Sequence, residues 1–349
     1  MKCPIVILFK KRGILINELT KLIDTDIRNQ FQLYEKELYF PIQYALGIKN
    51  LDNSETKNRP GKSIRPLICI LIYTAASIDP TKFIETSLSL EYIHNYSLIH
   101  DDIQDNDEFR HNKPTIWKIW GKDKALIIGN MLNNIAYIQM TNGEKILSKK
   151  QITDISQVLN QATLEMIEGQ YLDIHFETKK TISEKEYLNM ISKKTGALLQ
   201  ASVIIGSIIG NYNYKDVSIL KKFSESLGYL FQITDDVLGI WGDSSKTGKP
   251  VGSDIINKKK SLPIIHCKNT LNAKDLILFN KIYSADKIKH SDVQIILNLL
   301  DKTSTQKYTQ SLAMTYYKSC IELLNSTSLN HKKTIHLKLL LEKLVSREK

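Results

Sequence analysis

Apolar residues recur with a helical period along most of this 349-residue chain, and this periodicity constrains the fold more than any other feature. Residues three or four positions apart share one face of a helix, so the spacing predicts helices that each bury one side. No segment alternates as a β-hairpin does, and glycine and proline fall mostly between the periodic segments. The sequence therefore predicts an all-α chain of one domain. The predicted helical segments are 14–46, 66–73, 83–105, 124–140, 150–175, 184–209, 217–238, 274–283, 291–300 and 308 to the C-terminus.

Composition narrows the class of protein. The chain is 42% hydrophobic and 24% charged, as in ordinary globular proteins, and its net charge of +11 favours anionic partners. It has no RNA-reading motif, zinc finger or long basic run, so we expect no nucleic-acid partner. The four cysteines lack metal or disulfide spacing, which favours reduced thiols in a cytosol. The apolar patch at the start is too short for a secretion signal, and the run 198–210 is shorter than the ~20 residues of a membrane span. We therefore expect a cytoplasmic protein without a membrane span.

Two acidic clusters each follow an apolar helical segment. In SLIHDDIQDNDEFR, residues 97–110, Asp101 and Asp105 lie one turn apart on the helix face that also carries His94. In FQITDDVLGIWGD, Asp235 and Asp236 lie about one turn after Gln232. Magnesium is commonly held by one or two carboxylates together with substrate phosphates. One such cluster alone is more typical of an exposed acidic turn, but the pair favours two helix ends that hold a diphosphate through bridging metals.

Basic residues in turns complete this pattern. Any one of them is often a solvated surface residue. As a set near carboxylates and glycines, they indicate clamps for two polyphosphate groups. They are Lys62 and Arg65 in PGKSIRP, Arg110 after the first acidic cluster, Lys194 in SKKTGALL, Lys249 in TGKPVGSD and Lys259 in NKKKSLP.

With these motifs in this order, the chain resembles the trans-polyprenyl diphosphate synthases, the farnesyl and geranylgeranyl diphosphate synthase family. The resemblance runs from about residue 14 to beyond residue 263 and rests on six motifs, DDIQD, FQITDDVLGIWGD, GKSIRP, EGQYLD, KKTGALL and TGKPVGSDIINKKKSLP. It implies an isoprenoid-synthase-type bundle of about ten or more helices around a central apolar cavity. It also implies a single prenyltransferase domain over 14–349 behind a tail at 1–13, and a homodimer.

The resemblance further implies a magnesium-dependent head-to-tail condensation of isopentenyl diphosphate with an allylic diphosphate, with three metal ions. The implied magnesium ligands are Asp101, Asp105 and Asp235, supported by Asp102 and Asp236. The implied ligands of the allylic diphosphate are Arg110, Lys194 and Lys249, with Lys259 nearby, and those of isopentenyl diphosphate are Lys62, Arg65 and His94. Thr195 and Gln232 would lie near the developing cation, and Gln170 and Asp173 would line the metal side.

Five positions depart from the family pattern. His111 stands where a second arginine for isopentenyl diphosphate is expected, and because imidazole is at most partly charged, we expect weaker affinity for that substrate. Gly239 ends the second acidic motif in place of aspartate, and Asn130 replaces aspartate in GNML. Pro60 and Ser63 replace glycine and arginine in PGKSIRP. None of these changes removes a principal metal ligand, so we expect activity.

Product length is expected to depend on the helix that carries Asp101. Ser97, one turn before Asp101, is small, and Tyr96 beside it is the first bulky group on that wall. A packed core aromatic is the competing interpretation of Tyr96. One helical turn is ~5.4 Å, about one isoprene unit, so the position of a bulky plug sets the number of condensations. Resemblance then implies mainly geranylgeranyl diphosphate, with farnesyl diphosphate as the nearest alternative.

Three other functions remain open on the sequence. A class I terpene cyclase shares the first acidic motif, but Asp235, Asp236 and the Lys62/Arg65 pair argue against it. A weakly active subunit that regulates another synthase is compatible with His111 and Asn130. A plain helical scaffold is hard to reconcile with six ordered motifs.

Overall fold

The computed structural model describes residues 14–34, 36–142, 146–242, 251–329 and 331–346, and helices dominate them, which confirms the all-α prediction. The first helices are α1 (Ile14–Gln32), α2 (Phe40–Ala45), α3 (Ile64–Ala75) and α4 (Ile84–Gln104). Two short strands, β1 (Phe109–Arg110) and β2 (Lys113–Pro114), precede α5 (Ile116–Trp120), α6 (Lys122–Thr141) and α7 (Lys149–Thr178). Next come α8 (Glu184–Ile191), a π-helical segment (Ser192–Gly196), α9 (Ala197–Ile209) and α10 (Tyr214–Trp241). The chain continues through α11 (Ser253–Ile256), α12 (Leu262–Thr270), α13 (Ala273–Ser284), α14 (His290–Lys302), α15 (Thr305–Ser326) and α16 (His331–Val345).

Three predicted segments are interrupted in the structure. The predicted helix 14–46 breaks between α1 and α2, where the buried Gln43 amide donates to the carbonyls of Phe31 and Tyr34 at distances of 3.2 and 3.3 Å. The predicted helix 184–209 contains the π-helical segment, and the segment after 308 is divided into α15 and α16. A helical period continues across such breaks because the helices on either side still bury apolar faces.

Contacts between Cα atoms divide the chain into two compact units. Unit 1 comprises Met1–Thr163, Leu198–Lys221 and Thr327–Leu339, and unit 2 comprises Leu164–Ala197, Lys222–Ser326 and Leu340–Lys349. The single domain over 14–349 stays a prediction.

The core of unit 1 is built around α3 and the first half of α4. Residues 67–73 of α3 are all buried, and α9 packs closely against this helix at Gly206. A Cβ at Gly206 would lie 2.7 Å from the Cys69 carbonyl oxygen, so only glycine permits this approach. The first half of α4 is also buried, whereas its last turn reaches the surface with the first acidic cluster. A fixed inner half therefore positions the acidic end of α4.

The core of unit 2 joins the end of α10 to the segments that follow it. Ile240 and Ile255 are fully buried together with residues of α12, α13 and α14, including Phe279 and Ile296. This packing fixes the second acidic cluster and the stretch 253–262 relative to one another. No helix in the described ranges is both long enough and apolar enough to cross a bilayer.

Candidate active site

Two acids of the first acidic cluster, Asp102 and Glu108, are paired with basic side chains. Asp102 is buried, and Nε and Nη2 of Arg110 both lie 2.7 Å from its Oδ1 atom. Burial raises the pKa of the Asp102 carboxyl, and the hydrogen bond and charge of Arg110 oppose that rise. Glu108 pairs with Lys118 at 2.7 Å, and both side chains are exposed, so this pair adds little to stability. Asp105 ends α4 at the surface, one turn after the partly exposed Asp101.

A hairpin that the sequence did not predict positions Arg110. Strand β1 pairs antiparallel with β2, and the turn between them consists of His111 and Asn112, with φ of +50° and +59°. A two-residue hairpin turn of this kind requires positive φ at both central residues. Among residues with a side chain, asparagine and histidine accept that conformation more readily than most. Backbone geometry thus gives a physical reason for His111 where the family pattern has arginine.

Cationic and imidazole groups converge in unit 1. Burial and the charges of Arg65, Arg110 and His111 hold the pKa of the His94 imidazole well below its usual range, so this ring is neutral. Arg65 is buried, and burial lowers the pKa of its guanidinium to about 10, against the attraction of Glu91, so it keeps its charge at neutral pH. Its Nε atom has no hydrogen-bond partner within the described part of the chain. A buried guanidinium with an unused donor is suited to an anionic ligand.

The turn PGKSIRP is held by a glutamate that sequence reasoning missed. Glu91 on α4 is buried, accepts a hydrogen bond of 3.2 Å from the Ser63 hydroxyl and lies 3.7 Å from Nη2 of Arg59. Arg59 also donates from Nε to the Leu46 carbonyl at 2.7 Å. Ser63 has φ of +41°, so the chain enters α3 through a left-handed residue, beside the exposed Lys62. An acid in the middle of the apolar half of α4 was the signal in the sequence that could have identified Glu91.

In unit 2, the π-helical segment SKKTG carries Lys194 and Thr195. Two glycines let neighbouring helices approach it: a Cβ on Gly169 of α7 would lie 2.2 Å from the Lys194 nitrogen, and a Cβ on Gly228 would lie 2.9 Å from the Gly196 Cα. Segments of this kind inside helices are frequent at functional sites because they redirect side chains. The Lys194 ammonium lies 2.5 Å from Oδ2 of Asp173 on α7.

A hydrogen-bonded chain connects this segment to the second acidic cluster. The Thr195 hydroxyl donates to Oε1 of Gln232 at 2.6 Å, and Nε2 of Gln232 donates to Oδ1 of Asp236 at 3.0 Å. The hydroxyl of the buried Tyr187 and the Leu262 amide both donate to Oδ2 of Asp236. Burial raises the pKa of the Asp236 carboxyl to about 7, against these hydrogen bonds, which lower it. Asp236 is therefore committed to protein donors, whereas the adjacent Asp235 is exposed.

The missing aspartate at position 239 also has a physical reason. A Cβ on Gly239 would lie 2.2 Å from Oδ2 of Asp254, a buried residue of α11. The Asp254 carboxylate occupies the space that a side chain at 239 would need. Asp254 and Tyr187 are site residues that the sequence analysis did not single out.

The remaining predicted residues have the following places. Lys249 lies outside the described residues, Lys259 is exposed on the stretch between α11 and α12, and Gln170 is buried on α7. The half-buried Tyr96 packs edge-on against His100 with ring centroids 4.7 Å apart, and Ser97 donates to the His94 carbonyl at 2.7 Å. That the two acidic helix ends face each other stays a prediction.

The donor set suits a hard cation. Asp101, Asp105 and Asp235 present carboxylate oxygens at the surfaces of their units, the ligand type that magnesium prefers. Within the described ranges, no group of three or more His, Cys, Asp or Glu side chains is arranged to hold a metal by itself. Magnesium usually takes only one or two protein carboxylates and completes its shell with water and phosphate oxygens.

Comparison with known proteins identifies the class. Residues 51–300 match the family described as Polyprenyl synthetase. The chain is 34% identical to the short chain isoprenyl diphosphate synthase of Methanocaldococcus jannaschii over 295 residues, which cover 84% of this chain and 85% of that protein. It is 32% identical to the geranylgeranyl diphosphate synthase of Sulfolobus acidocaldarius, over 77% of this chain and 81% of that one. The crystal structure of geranylgeranyl pyrophosphate synthetase from Pyrococcus horikoshii superposes with a TM-score of 0.84 at 36% identity and covers 95% of this chain and 98% of that chain.

These findings place the all-α fold among the prenyl-chain-elongating enzymes. The chain belongs to the polyprenyl synthetase family, and it is a prenyltransferase.

The packing at Gly239 predicts that restoring the family's aspartate is harmful. Gly239→Asp should lower the free energy of unfolding by about 1–3 kcal/mol, because the new side chain overlaps the Asp254 carboxylate and places two acids together. Urea denaturation measures this loss. The double variant Gly239→Asp/Asp254→Gly should recover part of it, since the overlap is removed. Wild-type stability in Gly239→Asp alone would contradict the packing described for this pair.

Proposed function

We propose that this chain catalyses the magnesium-dependent, head-to-tail condensation of isopentenyl diphosphate with an allylic diphosphate to give an all-trans prenyl diphosphate of short or medium length. The observation that carries the proposal is in unit 1: the buried Arg65 has an unused Nε donor, and Arg110 is fixed by Asp102 on the helix that ends in Asp101 and Asp105. An anion-binding group next to paired carboxylates suits a phosphorylated substrate and a metal. Membership of the family supports the same conclusion.

We assign Asp101, Asp105 and Asp235 as the residues that would hold magnesium, with three ions in the substrate complex. Bound magnesium would neutralise the diphosphate as it leaves the allylic carbon. Asp102 supports this site indirectly, because its ion pair fixes Arg110. Asp236 acts in the same indirect way in unit 2, since its carboxylate is engaged by Gln232, Tyr187 and Leu262.

The cationic side chains divide between two substrates. Arg110, Lys194 and Lys249, with Lys259, bind the allylic diphosphate and stabilise the negative charge that grows on it as the carbon–oxygen bond breaks. Lys62, Arg65, His94 and His111 bind isopentenyl diphosphate. The neutral His94 ring can donate one hydrogen bond to a phosphate oxygen without carrying a charge of its own.

The new carbon–carbon bond forms when the double bond of isopentenyl diphosphate attacks the allylic cation. The Thr195 hydroxyl donates a hydrogen bond to Gln232, so the lone pairs on its oxygen are available to a nearby cation. Asp236 fixes the Gln232 amide in the orientation that accepts this hydrogen bond. The departed diphosphate is the base that takes the final proton. A homodimer in the cytoplasm remains the expected state of the protein.

The proposal predicts incorporation of radiolabelled isopentenyl diphosphate by the purified chain alone with magnesium. Asp101→Ala or Asp235→Ala should lower turnover by on the order of a thousandfold, because each removes charge stabilisation needed in the transition state. Asp107→Ala is the matched control, since this exposed acid of the first cluster is not assigned to the metal. Circular dichroism should show that Asp101→Ala and Asp235→Ala both fold as the wild type does.

Several outcomes would argue for another function. A wild-type chain that cyclises an allylic diphosphate without using isopentenyl diphosphate is a terpene cyclase. A chain active only with a second synthase subunit is a regulatory partner. Near-normal rates in Asp235→Ala would remove this residue from the metal site.

The hairpin predicts the effect of His111→Arg. A permanent guanidinium should lower the KM for isopentenyl diphosphate by about tenfold, with little change for the allylic substrate. Stability should fall slightly, because arginine accepts the left-handed turn less readily than histidine. His111→Asn keeps the turn without a cation and should not lower that KM. A KM that His111→Arg leaves unchanged would place residue 111 outside the isopentenyl site.

Geranylgeranyl diphosphate is the proposed main product, with farnesyl diphosphate as the next. Tyr96→Ala should lengthen the product by one or more isoprene units, because it removes the ring that packs on His100 below the acidic end of α4. Tyr96→Phe keeps the ring and should keep the product length. Chromatography of dephosphorylated products measures both. Identical products from Tyr96→Ala and wild type would mean that another residue limits the chain.

A further inference from the structure

The stretch NKKKSLP contains three consecutive lysines, Lys258, Lys259 and Lys260, whose side chains have different environments. Lys259 is exposed, whereas the side chains of the two flanking lysines lie against backbone carbonyls of unit 2. Residue type and charge do not distinguish the three lysines, and only the resemblance to the family singles out Lys259. The structure separates them.

Each flanking ammonium lies at the C-terminal end of a different helix. Lys260 donates to the carbonyls of Phe176, Glu177 and Lys179 at the end of α7, with 3.0 Å to Glu177. Lys258 donates to the carbonyls of Ala285 and Asp286 just after α13. The last carbonyls of a helix lack partners within the helix and carry partial negative charge, so an ammonium there is stabilising. The ammonium groups of Lys258 and Lys260 therefore both donate to backbone carbonyls.

The backbone around Lys259 is fixed as well. Lys258 has φ of +52°, and its amide donates to the Ile255 carbonyl at 2.9 Å, while the Lys259 amide donates to the Asp254 carbonyl at 2.9 Å. This pattern closes a helix end through a left-handed residue. Two residues beyond Lys260, the Leu262 amide donates to Asp236 at 2.9 Å. Lys259 is therefore an exposed cation in a short stretch whose backbone is fixed by hydrogen bonds on both sides.

We infer that Lys258 and Lys260 are positioning residues that hold Lys259 in place to bind the diphosphate of the allylic substrate. The inference rests on the proposed function for the role of Lys259. It adds that neither neighbouring ammonium contacts the substrate itself.

A double-mutant cycle on the full chain tests this division of roles. The variants are Lys259→Met, Lys260→Met and the two combined, with geranyl diphosphate and isopentenyl diphosphate as substrates. Lys259→Met should raise the KM for geranyl diphosphate by about tenfold or more, the effect of one lost hydrogen bond to a charged group. Lys260→Met should also raise it, but should add nothing in the Lys259→Met background, because residues that act through one another are not additive. Lys260→Arg should restore the wild-type KM, since a guanidinium can donate to the same carbonyls.

Further variants and a binding measurement control for folding and for net charge. Lys258→Gly keeps the left-handed turn but removes the ammonium. It should raise the KM for geranyl diphosphate on its own, but add nothing in the Lys259→Met background. Lys268→Met is the matched control: Lys268 donates to the Lys180 carbonyl at 2.6 Å in the same unit but lies on α12, beyond the tied stretch, so the KM should not change. Calorimetric titration of the wild type and the variants of the cycle with inorganic diphosphate and magnesium measures the same effects on binding affinity without turnover.

The possible results are distinct. Losses in Lys259→Met and Lys260→Met that multiply in the double variant would show that Lys260 binds the diphosphate directly, and they would overturn the inference. Equal losses in the four variants that remove a charge, Lys258→Gly, Lys259→Met, Lys260→Met and Lys268→Met, would show that net charge alone causes the effect and would also overturn the inference. A wild-type chain that does not transfer prenyl groups would refute the proposed function first, whereas an active wild type with additive variants refutes only the inference.

Discussion

The site is organised by the cost of burying a carboxylate. Each acidic cluster contains two adjacent aspartates on a helix, and adjacent residues point about 100° apart. In both clusters the second member is buried and bound by protein donors: Asp102 by Arg110, and Asp236 by Tyr187, Gln232 and the Leu262 amide. A buried carboxylate without such partners would be strongly unfavourable. Asp101 and Asp235, the first members, remain on the outer side, so one short motif supplies both a buried anchor and an outward-facing carboxylate.

Close backbone approach is the second constraint on the site. Gly169 and Gly228 allow helices of unit 2 to meet at the π-helical segment with separations that no Cβ would permit. The segment then turns Lys194 towards Asp173 and Thr195 towards Gln232. Gly239 acts in the same way for the Asp254 carboxylate. Glycine in these motifs is therefore required by packing, although it touches no substrate.

The departures from the family pattern look different once the backbone is known. His111 lies in a hairpin turn with positive φ, and Ser63 is a left-handed residue whose hydroxyl donates to Glu91. Gly239 faces a carboxylate supplied from elsewhere in the chain. At these three positions local geometry accounts for the residue that is present.

The sequence by itself determined the helical architecture and most of the candidate site residues. Periodicity reports which face of a helix is buried, and the order of the motifs carries the family resemblance. Both features can be read from the linear sequence. Periodicity does not report where a helix breaks, because the apolar face continues across the break. The break between α1 and α2, which the Gln43 amide bridges, was therefore missed. Only the tertiary structure decided which aspartate of each pair is buried and which of the three lysines at 258–260 is exposed. Those outcomes depend on acceptors and donors far along the chain, such as the Phe176 carbonyl for Lys260 and the Tyr187 hydroxyl for Asp236, and no local pattern contains them.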